Sequence, residues 1–506
     1  MLNFLSPDPI ALHARLRPDA MAAMDLSLER RWTYRELDTD IQRAISALTA
    51  RDVKEGDRVA TLARNSVHQV ILQQALMRIG AIFVPLNWRL SSVELGRLVL
   101  DCAPRLLIAD QELPPLPPDC TAETMASFAA AVDGAQPAPA CPPHSGLDCC
   151  IILYTSGTSG TPKGAMLTSQ FLLATGVNFN VLGEVDTGAV FLCDSPMFHV
   201  IGIVTQIWPP FLRGGTIIVS AGFNPEKTND RLSNQDFSVT HYFCVPQMAE
   251  ALRYAPNFAP RRWTRLKALF TGGAPNPPAH IRWWLDQGVC VVDGYGMTET
   301  STTLGMPLSP KLIREKAGAV GLPGPLTTVR LIDYDGREVA DGTPGEILVF
   351  GLNVISGYWN RPEERDRAFT PDGWIRTGDI GVRDADGFIS IVDRRKDMFI
   401  SGGENVYPVE VEAALIEHED VREVAVIGVP DERWGEVGRA FIVPAPGRSP
   451  SEGELTAHCL SLIARYKVPK SFLLVEALPR TGSGKVMKHV LRRSVASGEE
   501  TTLLRG

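Results

Sequence analysis

The fold is decided by the stretch Ile151-Ile152-Leu153-Tyr154-Thr155-Ser156-Gly157-Thr158-Ser159-Gly160-Thr161-Pro162-Lys163-Gly164, in which an apolar strand runs directly into a loop of hydroxyls and glycines. Glycines let backbone amides turn toward an anion, hydroxyls donate further hydrogen bonds, and the lysine supplies positive charge. The loop is not a Walker A loop, because no Gly-Lys-Ser/Thr closes a four-residue gap after a glycine. Taken alone, it fits a polyphosphate site or a flexible surface loop.

The sequence before this loop is typical of layered α/β structure. Thr33 and Glu36 form a capping-box pattern ahead of apolar residues at helical spacing. Residues 57–62 then read as a strand, residues 66–79 as a helix and residues 81–85 as the next strand. Such a βαβ unit predicts a parallel, buried sheet.

The segment between residues 111 and 145 is rich in proline and alanine. We expect its prolines to prevent regular structure, so that it connects two lobes. Apolar strands at residues 215–219 and 289–292 alternate with helical stretches after it, and a β-rich section follows at about residues 319–392.

A dense cluster of charges at residues 393–397 marks the predicted domain boundary. After it comes the pattern of a small α/β unit, with helices near 409–418 and 455–466 and strands near Val424 and Phe441. We therefore predict an N-terminal domain at residues 1–392, a hinge at 393–397 and a C-terminal domain at 398–506.

The composition excludes several classes of protein. With 506 residues, 44% of them hydrophobic and 21% charged, the chain is large enough for about three globular units. A net charge of -8 gives no electrostatic reason to expect a nucleic acid partner. The nine scattered cysteines have no metal-ligand spacing and read as reduced thiols. No signal-peptide pattern and no long apolar run are present, so a cytoplasmic location is expected.

Further motifs occur in a fixed order after the loop. They are Pro196-Met197-Phe198-His199, Thr271-Gly272-Gly273-Ala274-Pro275, Gly294-Tyr295-Gly296-Met297-Thr298-Glu299-Thr300, Arg376-Thr377-Gly378-Asp379, Asp393-Arg394-Arg395-Lys396-Asp397, Gly402-Gly403-Glu404-Asn405 and Arg480-Thr481-Gly482-Ser483-Gly484-Lys485. With the loop, this series resembles the adenylate-forming superfamily of acyl-CoA synthetases, luciferases and peptide-synthetase adenylation domains. The resemblance implies a large N-terminal α/β domain with a β-rich subdomain, and a small mobile α+β C-terminal domain.

The resemblance also implies the residues that handle ATP and magnesium. The tyrosine of the third motif would stack on adenine, the aspartate after Thr377-Gly378 would hold the ribose hydroxyls, and the last lysine would bridge carboxylate and phosphate in the first step. The expected nucleotide set is Thr155, Ser156, Gly157, Thr158, Lys163, Gly273, Ala274, Pro275, Gly294, Tyr295, Gly296, Met297, Thr298, Asp379, Arg394 and Lys485. Thr155 and Glu299 resemble the magnesium ligands, because Mg²⁺ takes one or two protein oxygens besides phosphate and water. The expected catalytic set is Lys485, His199, Glu299 and Thr155.

The resemblance further places the acid and coenzyme A. The predicted acid pocket consists of His199, Val200, Phe243, Gly272, Gly296 and Leu304. Gly402 and Gly403 would line the pantetheine path, and Lys396 would be the pivot about which the small domain rotates before the second step. Trp434, Tyr466 and Lys470 align with coenzyme A contacts of some family members.

The predicted pocket segments are largely apolar, which favours a fatty, aryl or aryl-alkanoic acid over an amino acid or a dicarboxylate. The predicted function is therefore an ATP-dependent carboxylate–CoA ligase that uses Mg²⁺, with a homodimer possible. Two alternatives stay open, namely an acyl-AMP ligase that loads a carrier protein and a non-catalytic nucleotide-binding relative. Retention of Lys485, Glu299 and Asp379 argues against the second.

Overall fold

The computed structural model describes residues 5–155, 162–274, 276–394, 397–401, 404–480 and 485–497. The predicted residues Ser156, Gly157, Thr158, Pro275, Lys396, Gly402 and Gly403 lie outside this part of the chain, and so does the side chain of Arg394. The described chain forms a large N-terminal α/β domain and a smaller C-terminal domain. The predicted fold class is confirmed.

The phosphate loop leaves a seven-stranded sheet. Its strands, in spatial order, are β18 (Gly357–Tyr358), β8 (Lys163–Thr168), β7 (Cys149–Thr155), β4 (Ile82–Pro85), β3 (Arg58–Leu62), β5 (Leu106–Ala109) and β6 (Thr121–Glu123). Strands β3, β4, β5, β6 and β7 run parallel, as the βαβ pattern predicts, while β8 returns antiparallel to β7. The predicted loop therefore begins at the carboxyl end of a central strand, where ligand sites of parallel sheets usually lie.

The second sheet has thirteen strands and contains the β-rich section. In spatial order they are β16 (Thr327–Ile332), β17 (Gly345–Gly351), β19 (Ile375–Arg383), β20 (Ile389–Arg394), β15 (Ala319–Pro323), β14 (Leu304–Gly305), β13 (Val291–Tyr295), β12 (Ala268–Thr271), β11 (His241–Cys244), β9 (Val190–Cys193), β10 (Thr216–Val219), β1 (Met21–Asp25) and β2 (Arg30–Thr33). Its centre, from β13 to β1, is parallel, and the β-rich part is antiparallel.

The C-terminal domain is built on a five-stranded sheet. Its strands are β22 (Glu404–Val406), β21 (Phe399–Ser401), β24 (Gly435–Pro444), β23 (Val421–Asp431) and β25 (Ser471–Leu474). Apolar side chains of α13 (Pro408–Ile416) and α14 (Glu452–Leu462) complete its core. All strands of this sheet follow the charged cluster that the sequence suggests as a boundary.

Helices cover both large sheets. They are α1 (Pro9–Leu16), α2 (Tyr34–Thr49), α3 (Val67–Arg78), α4 (Ser92–Cys102), α5 (Met125–Gly134), α6 (Ser169–Leu182), α7 (Trp208–Arg213), α8 (Pro225–Ser233), α9 (Pro246–Tyr254), α10 (Pro278–Asp286), α11 (Pro310–Glu315) and α12 (Pro362–Ala368). The last described helix, α15 (Lys488–Ser497), packs against β23 of the C-terminal domain. A π-helical turn spans Ile201–Thr205, and 3₁₀ turns span Pro260–Arg262 and Arg465–Lys467. The capping box of Thr33 and Glu36 is present at the start of α2. Within the described residues, no helix has the length and apolar character needed to cross a bilayer.

The prediction for the proline-rich segment is wrong. Residues 111–145 contain β6, which pairs with β5 of the first sheet, and α5, which packs against α2, so the segment is part of the N-terminal domain rather than a connector between two lobes. The prolines lie at both ends of the segment, and residues 119–136 contain none. That interval buries Met125, Phe128 and Val132, which is enough to hold a short helix on the sheet.

Candidate functional site

The candidate site lies at the carboxyl ends of two adjacent parallel strands. Strand β12 ends at Thr271 and is followed by Gly272 and Gly273, while β13 ends at Tyr295 and is followed by Gly296. A β-carbon on Gly296 would lie 1.7 Å from the Ser301 carbonyl oxygen, so only glycine fits there. The two predicted glycine motifs are therefore neighbours in space, and bare backbone from both faces the same opening.

Tyr295 and Asp379 meet across the sheet. The Tyr295 hydroxyl donates a hydrogen bond of 2.5 Å to Oδ2 of Asp379, which β19 supplies. Asp379 is 8% exposed. The residues predicted for adenine and for ribose thus form one unit, in which the tyrosine keeps the carboxylate in a fixed orientation.

Two cavities meet at this point. The first has a volume of about 130 Å³, and its walls include every residue of the predicted acid pocket: His199, Val200, Phe243, Gly272, Gly296 and Leu304. The second has a volume of about 590 Å³ and contains Ala274, Tyr295 and Asp379 in its wall. The residues that border both are Gly273, Asp293, Gly294, Tyr295, Gly296, Met297 and Lys485. Thr298 borders the first cavity.

Lys485 borders both cavities and acts electrostatically on two titratable side chains of the site. Its ammonium group helps to lower the pKa of His199 and acts in the same direction on Glu299. A cation at the junction of two cavities can bridge an anion in each of them, which suits the joining of a carboxylate to a phosphate.

His199 is partly buried beside the start of the π-helical turn. Burial, with smaller contributions from Lys485 and Arg89, lowers the pKa of His199 to about 4. Its Nε2 has no hydrogen-bond partner among the described residues. A neutral imidazole with an unpaired buried nitrogen can hydrogen-bond a ligand without adding charge.

Glu299 and Thr155 were predicted as magnesium ligands. Glu299 is 8% exposed, and its Oε1 accepts a hydrogen bond of 3.0 Å from the Tyr358 hydroxyl. Burial raises the pKa of Glu299, and Tyr358, Lys485 and Lys163 act against that rise. Thr155 ends β7, and Tyr358 lies on β18, two strands away in the same sheet. A carboxylate and a hydroxyl are oxygen ligands of the kind Mg²⁺ takes, so the residues fit the ion.

Lys163 is paired at the other end of the phosphate loop. Its Nζ lies 2.5 Å from Oε2 of Glu364 on α12, and 5.6 Å from the ring centre of Tyr358. Both members of the ion pair are about one-fifth exposed. The loop lysine is thus held next to the side chain that positions Glu299.

The residues predicted for coenzyme A lie on the surface of the C-terminal domain. Trp434 is 40% exposed and Tyr466 is 43% exposed, and Lys470 is also exposed. None of the three borders either described cavity. The structure therefore does not bring them to the junction, and their role stays a prediction.

Sequence reasoning missed several residues of the site. Asp293 borders both cavities, accepts a hydrogen bond of 2.9 Å from Thr271, and burial raises its pKa to about 7. Phe179 and Leu182 on α6 border the first cavity. Asp293 directly precedes a quoted motif, which is a usable signal, whereas the two α6 residues look like ordinary core residues.

Comparisons with known proteins agree with this geometry. The family model "AMP-binding enzyme" matches residues 10–359, and the model "AMP-binding enzyme C-terminal domain" matches residues 410–485. The chain is 40% identical over 470 residues to a feruloyl-CoA synthase of Amycolatopsis sp, covering 91% of this chain and 93% of that protein. It is 35% identical over 502 residues to a long-chain-fatty-acid–CoA ligase of Mycobacterium tuberculosis, covering 96% and 97%.

Solved structures show the same likeness. The O-succinylbenzoate coenzyme A synthetase of Bacillus subtilis, in complex with ATP and magnesium ion, superposes with a TM-score of 0.85 at 29% identity, covering 96% of this chain and all of that one. The proteins that share this fold and sequence similarity are named as synthetases that join acids to coenzyme A. The chain belongs to the AMP-binding enzyme family and is an AMP-forming acyl-CoA synthetase.

Proposed function

We propose that the protein converts an apolar carboxylic acid and ATP into an acyl-adenylate and pyrophosphate, and then transfers the acyl group to coenzyme A. The observation that carries the proposal is the position of Lys485 at the junction of an apolar cavity and a larger one whose wall contains many charged side chains. An acid in the first cavity and a nucleotide in the second would present their anionic groups to the same ammonium.

In the first step, a carboxylate oxygen attacks the α-phosphorus, a phosphorus–oxygen bond forms, and pyrophosphate leaves. Lys485 reduces the repulsion between the two anions, and His199 donates from a neutral ring to the acid. Tyr295 packs against adenine and Asp379 accepts the ribose hydroxyls. Bound magnesium supplies charge neutralisation for the phosphates, and Glu299 and Thr155 are the residues that would hold it.

In the second step, the coenzyme A thiol loses its proton and its sulfur attacks the acyl carbon, and AMP leaves as the thioester forms. In this step, Gly402 and Gly403 would line the path of the thiol, and Lys396 would be the pivot of the C-terminal domain. The side chains of Trp434, Tyr466 and Lys470 are each exposed on the C-terminal domain, which allows them to contact the nucleotide end of coenzyme A.

The apolar acid class follows from the walls of the first cavity. Apolar side chains and glycine backbone make up most of the walls, and no arginine borders the cavity among the residues that the structure describes. A second carboxylate on the substrate would therefore stay unpaired, which costs more than a neutral polar group does.

The test is AMP release with ATP, magnesium and a panel of fatty, benzoic and cinnamic acids, each with and without coenzyme A. Release that requires both an acid and coenzyme A supports the proposal. Acid-dependent pyrophosphate release without a thioester points to another acyl acceptor, such as a carrier protein. Failure of every acid in the panel to release AMP contradicts the proposed function.

A further inference from the structure

The depth of the acid cavity follows from the strand register. The nucleotide side of the site lies at the carboxyl ends of β12 and β13, and the cavity continues along the sheet toward their amino ends. Phe243, Phe270 and Val292 lie side by side on adjacent strands one position inward from Cys244, Thr271 and Asp293. Because alternate residues of a strand face opposite sides of the sheet, His241 faces the same side as Phe243, one step deeper.

The inner end of the cavity is closed by helix α6. The ring of Phe179 lies 4.9 Å from that of Phe270 and 6.1 Å from that of Phe243, measured between centres. His241 Nε2 makes a hydrogen bond of 3.0 Å with the carbonyl oxygen of Gly183, which directly follows α6. The His241 ring is stacked between Phe191 and Phe270, with interplanar angles of 8° and 7°.

This hydrogen bond fastens the end of the helix to the sheet. Burial lowers the pKa of His241 to about 4, so the ring is neutral and makes the bond without a buried charge. Stacking behind Phe270, which borders the cavity, His241 supports that ring more rigidly than an aliphatic side chain would, because its own ring has a fixed plane and a fixed hydrogen-bond partner. The end of the cavity is therefore a stiff aromatic wall rather than the entrance of a tunnel.

The side walls favour a flat group. Gly272, Gly294 and Gly296 contribute backbone without side chains on one side of the cavity. At Gly305 the closest neighbour of an added β-carbon would be Leu182, at 3.1 Å, so the end of the cavity has no spare room there. Peptide planes and aromatic edges contact a planar ring well, and a rigid ring loses less conformational freedom on binding than an alkyl chain does.

The size of the cavity limits its occupant. Its volume of about 130 Å³ also includes the space next to Lys485 and His199, where the carboxylate reacts. Apolar protein cavities of roughly 150 Å³ hold a benzene molecule. We propose that the substrate is an aryl acid with a single ring, attached to the carboxylate directly or through a short linker, and that Phe179 and Leu182 set its maximum length. This inference rests on the proposed acid activation and names the substrate class of that site.

The first experiment measures kcat/KM of the full-length protein for coenzyme A-dependent AMP formation. The acids are benzoate, phenylacetate, cinnamate and 4-hydroxycinnamate, compared with straight-chain acids from butanoate to hexadecanoate. Cinnamate is expected to exceed nonanoate, which has the same number of carbons, by at least about tenfold. Hexadecanoate is expected to give background rates.

The second experiment moves the length limit. Phe179→Ala is expected to raise kcat/KM for biphenyl-4-carboxylate about tenfold relative to cinnamate, because it removes the ring that closes the cavity. Phe171→Ala is the matched control, since Phe171 is a fully buried phenylalanine of the same helix that does not border the cavity. Leu182→Ala tests the same end if Phe179→Ala does not fold. Gly305→Ala is expected to act in the opposite direction and to lower kcat/KM for cinnamate more than for benzoate.

The outcomes separate this inference from the proposed function. Highest activity with a long straight-chain acid overturns the single-ring assignment and leaves acid activation intact. An unchanged order of preference in both Phe179→Ala and Leu182→Ala overturns the role of the α6 end. Failure of every acid to release AMP overturns the proposed function itself.

Discussion

The Tyr358 hydroxyl lies 3.0 Å from Oε1 of Glu299 and donates a hydrogen bond to it. Tyr358 belongs to β18, which pairs with β8, so the position of the buried carboxylate depends on the sheet that carries the phosphate loop. The ring of the same tyrosine lies beside the Lys163–Glu364 ion pair. One side chain thus links the proposed magnesium ligand to the loop lysine.

Tyr358→Phe is expected to weaken magnesium-dependent ATP binding. The change leaves the ring in place but removes the donor from a buried carboxylate, which typically costs about 1–3 kcal/mol. We expect the magnesium concentration for half-maximal AMP formation to rise about tenfold, and calorimetry to show a matching loss of ATP affinity in the presence of magnesium. Tyr334→Phe is the control, because Tyr334 is 70% exposed. An unchanged magnesium requirement would contradict the positioning role.

Glu364→Gln is expected to tighten ATP binding. Glu364 and the phosphates of ATP compete for the ammonium group of Lys163, and the variant removes the charge of one competitor. We expect the Kd for ATP to fall about threefold by calorimetry, since a partly exposed ion pair of this kind is worth up to about 1 kcal/mol. Glu363→Gln, a change at the exposed neighbouring residue, is the matched control. Weaker ATP binding in Glu364→Gln would show instead that the ion pair orients the lysine for its ligand.

Lys485→Ala is expected to affect the two half-reactions unequally. The ammonium group bridges two anions only while the acid attacks ATP, so we expect adenylate formation to fall at least about 100-fold. Thioester formation from supplied acyl-AMP should change much less. Lys311→Ala serves as the control, since the side chain of Lys311 is 87% exposed. Equal losses in both half-reactions would refute the bridging role.

The family resemblance predicts the pocket residues, and strand ends explain why they lie together. Phe243, Gly272 and Gly296 fall into one cavity because adjacent parallel strands bring their carboxyl ends together. The Tyr358–Glu299 contact was not predictable in the same way, since it depends on the pairing of a two-residue strand with β8. No pattern in the local sequence indicates how β18 pairs with β8.

The residues that close the inner end of the acid cavity could not be predicted from the sequence, for a different reason. Phe179 lies in a helix in which nearly every face is apolar, so its sequence pattern resembles an ordinary buried helix. Its role appears only when His241 fastens the helix end to the sheet. The proline-rich segment differs from the prediction for a local reason, because its prolines lie at its two ends and the residues between them form the helix α5.

His199→Gln is expected to reduce the acid sensitivity of the fold. The pKa of His199 is about 4, below its ordinary value of 6.5, so between these two values the unfolded chain binds a proton that the folded protein does not. Stability therefore falls as the pH drops from about 7 toward 4, and at pH 5 this histidine accounts for about 2 kcal/mol of that fall.

The free energy of unfolding in urea, followed by tryptophan fluorescence at pH 7.5 and at pH 5, checks this expectation. The difference between the two values should be about 2 kcal/mol smaller in His199→Gln than in the unmodified protein. The comparison is made within each variant, so a general loss of stability in His199→Gln cancels. Equal differences in both proteins would mean that His199 is protonated in the folded state at pH 5, and a charged imidazole would then lie beside Lys485 in the acid cavity.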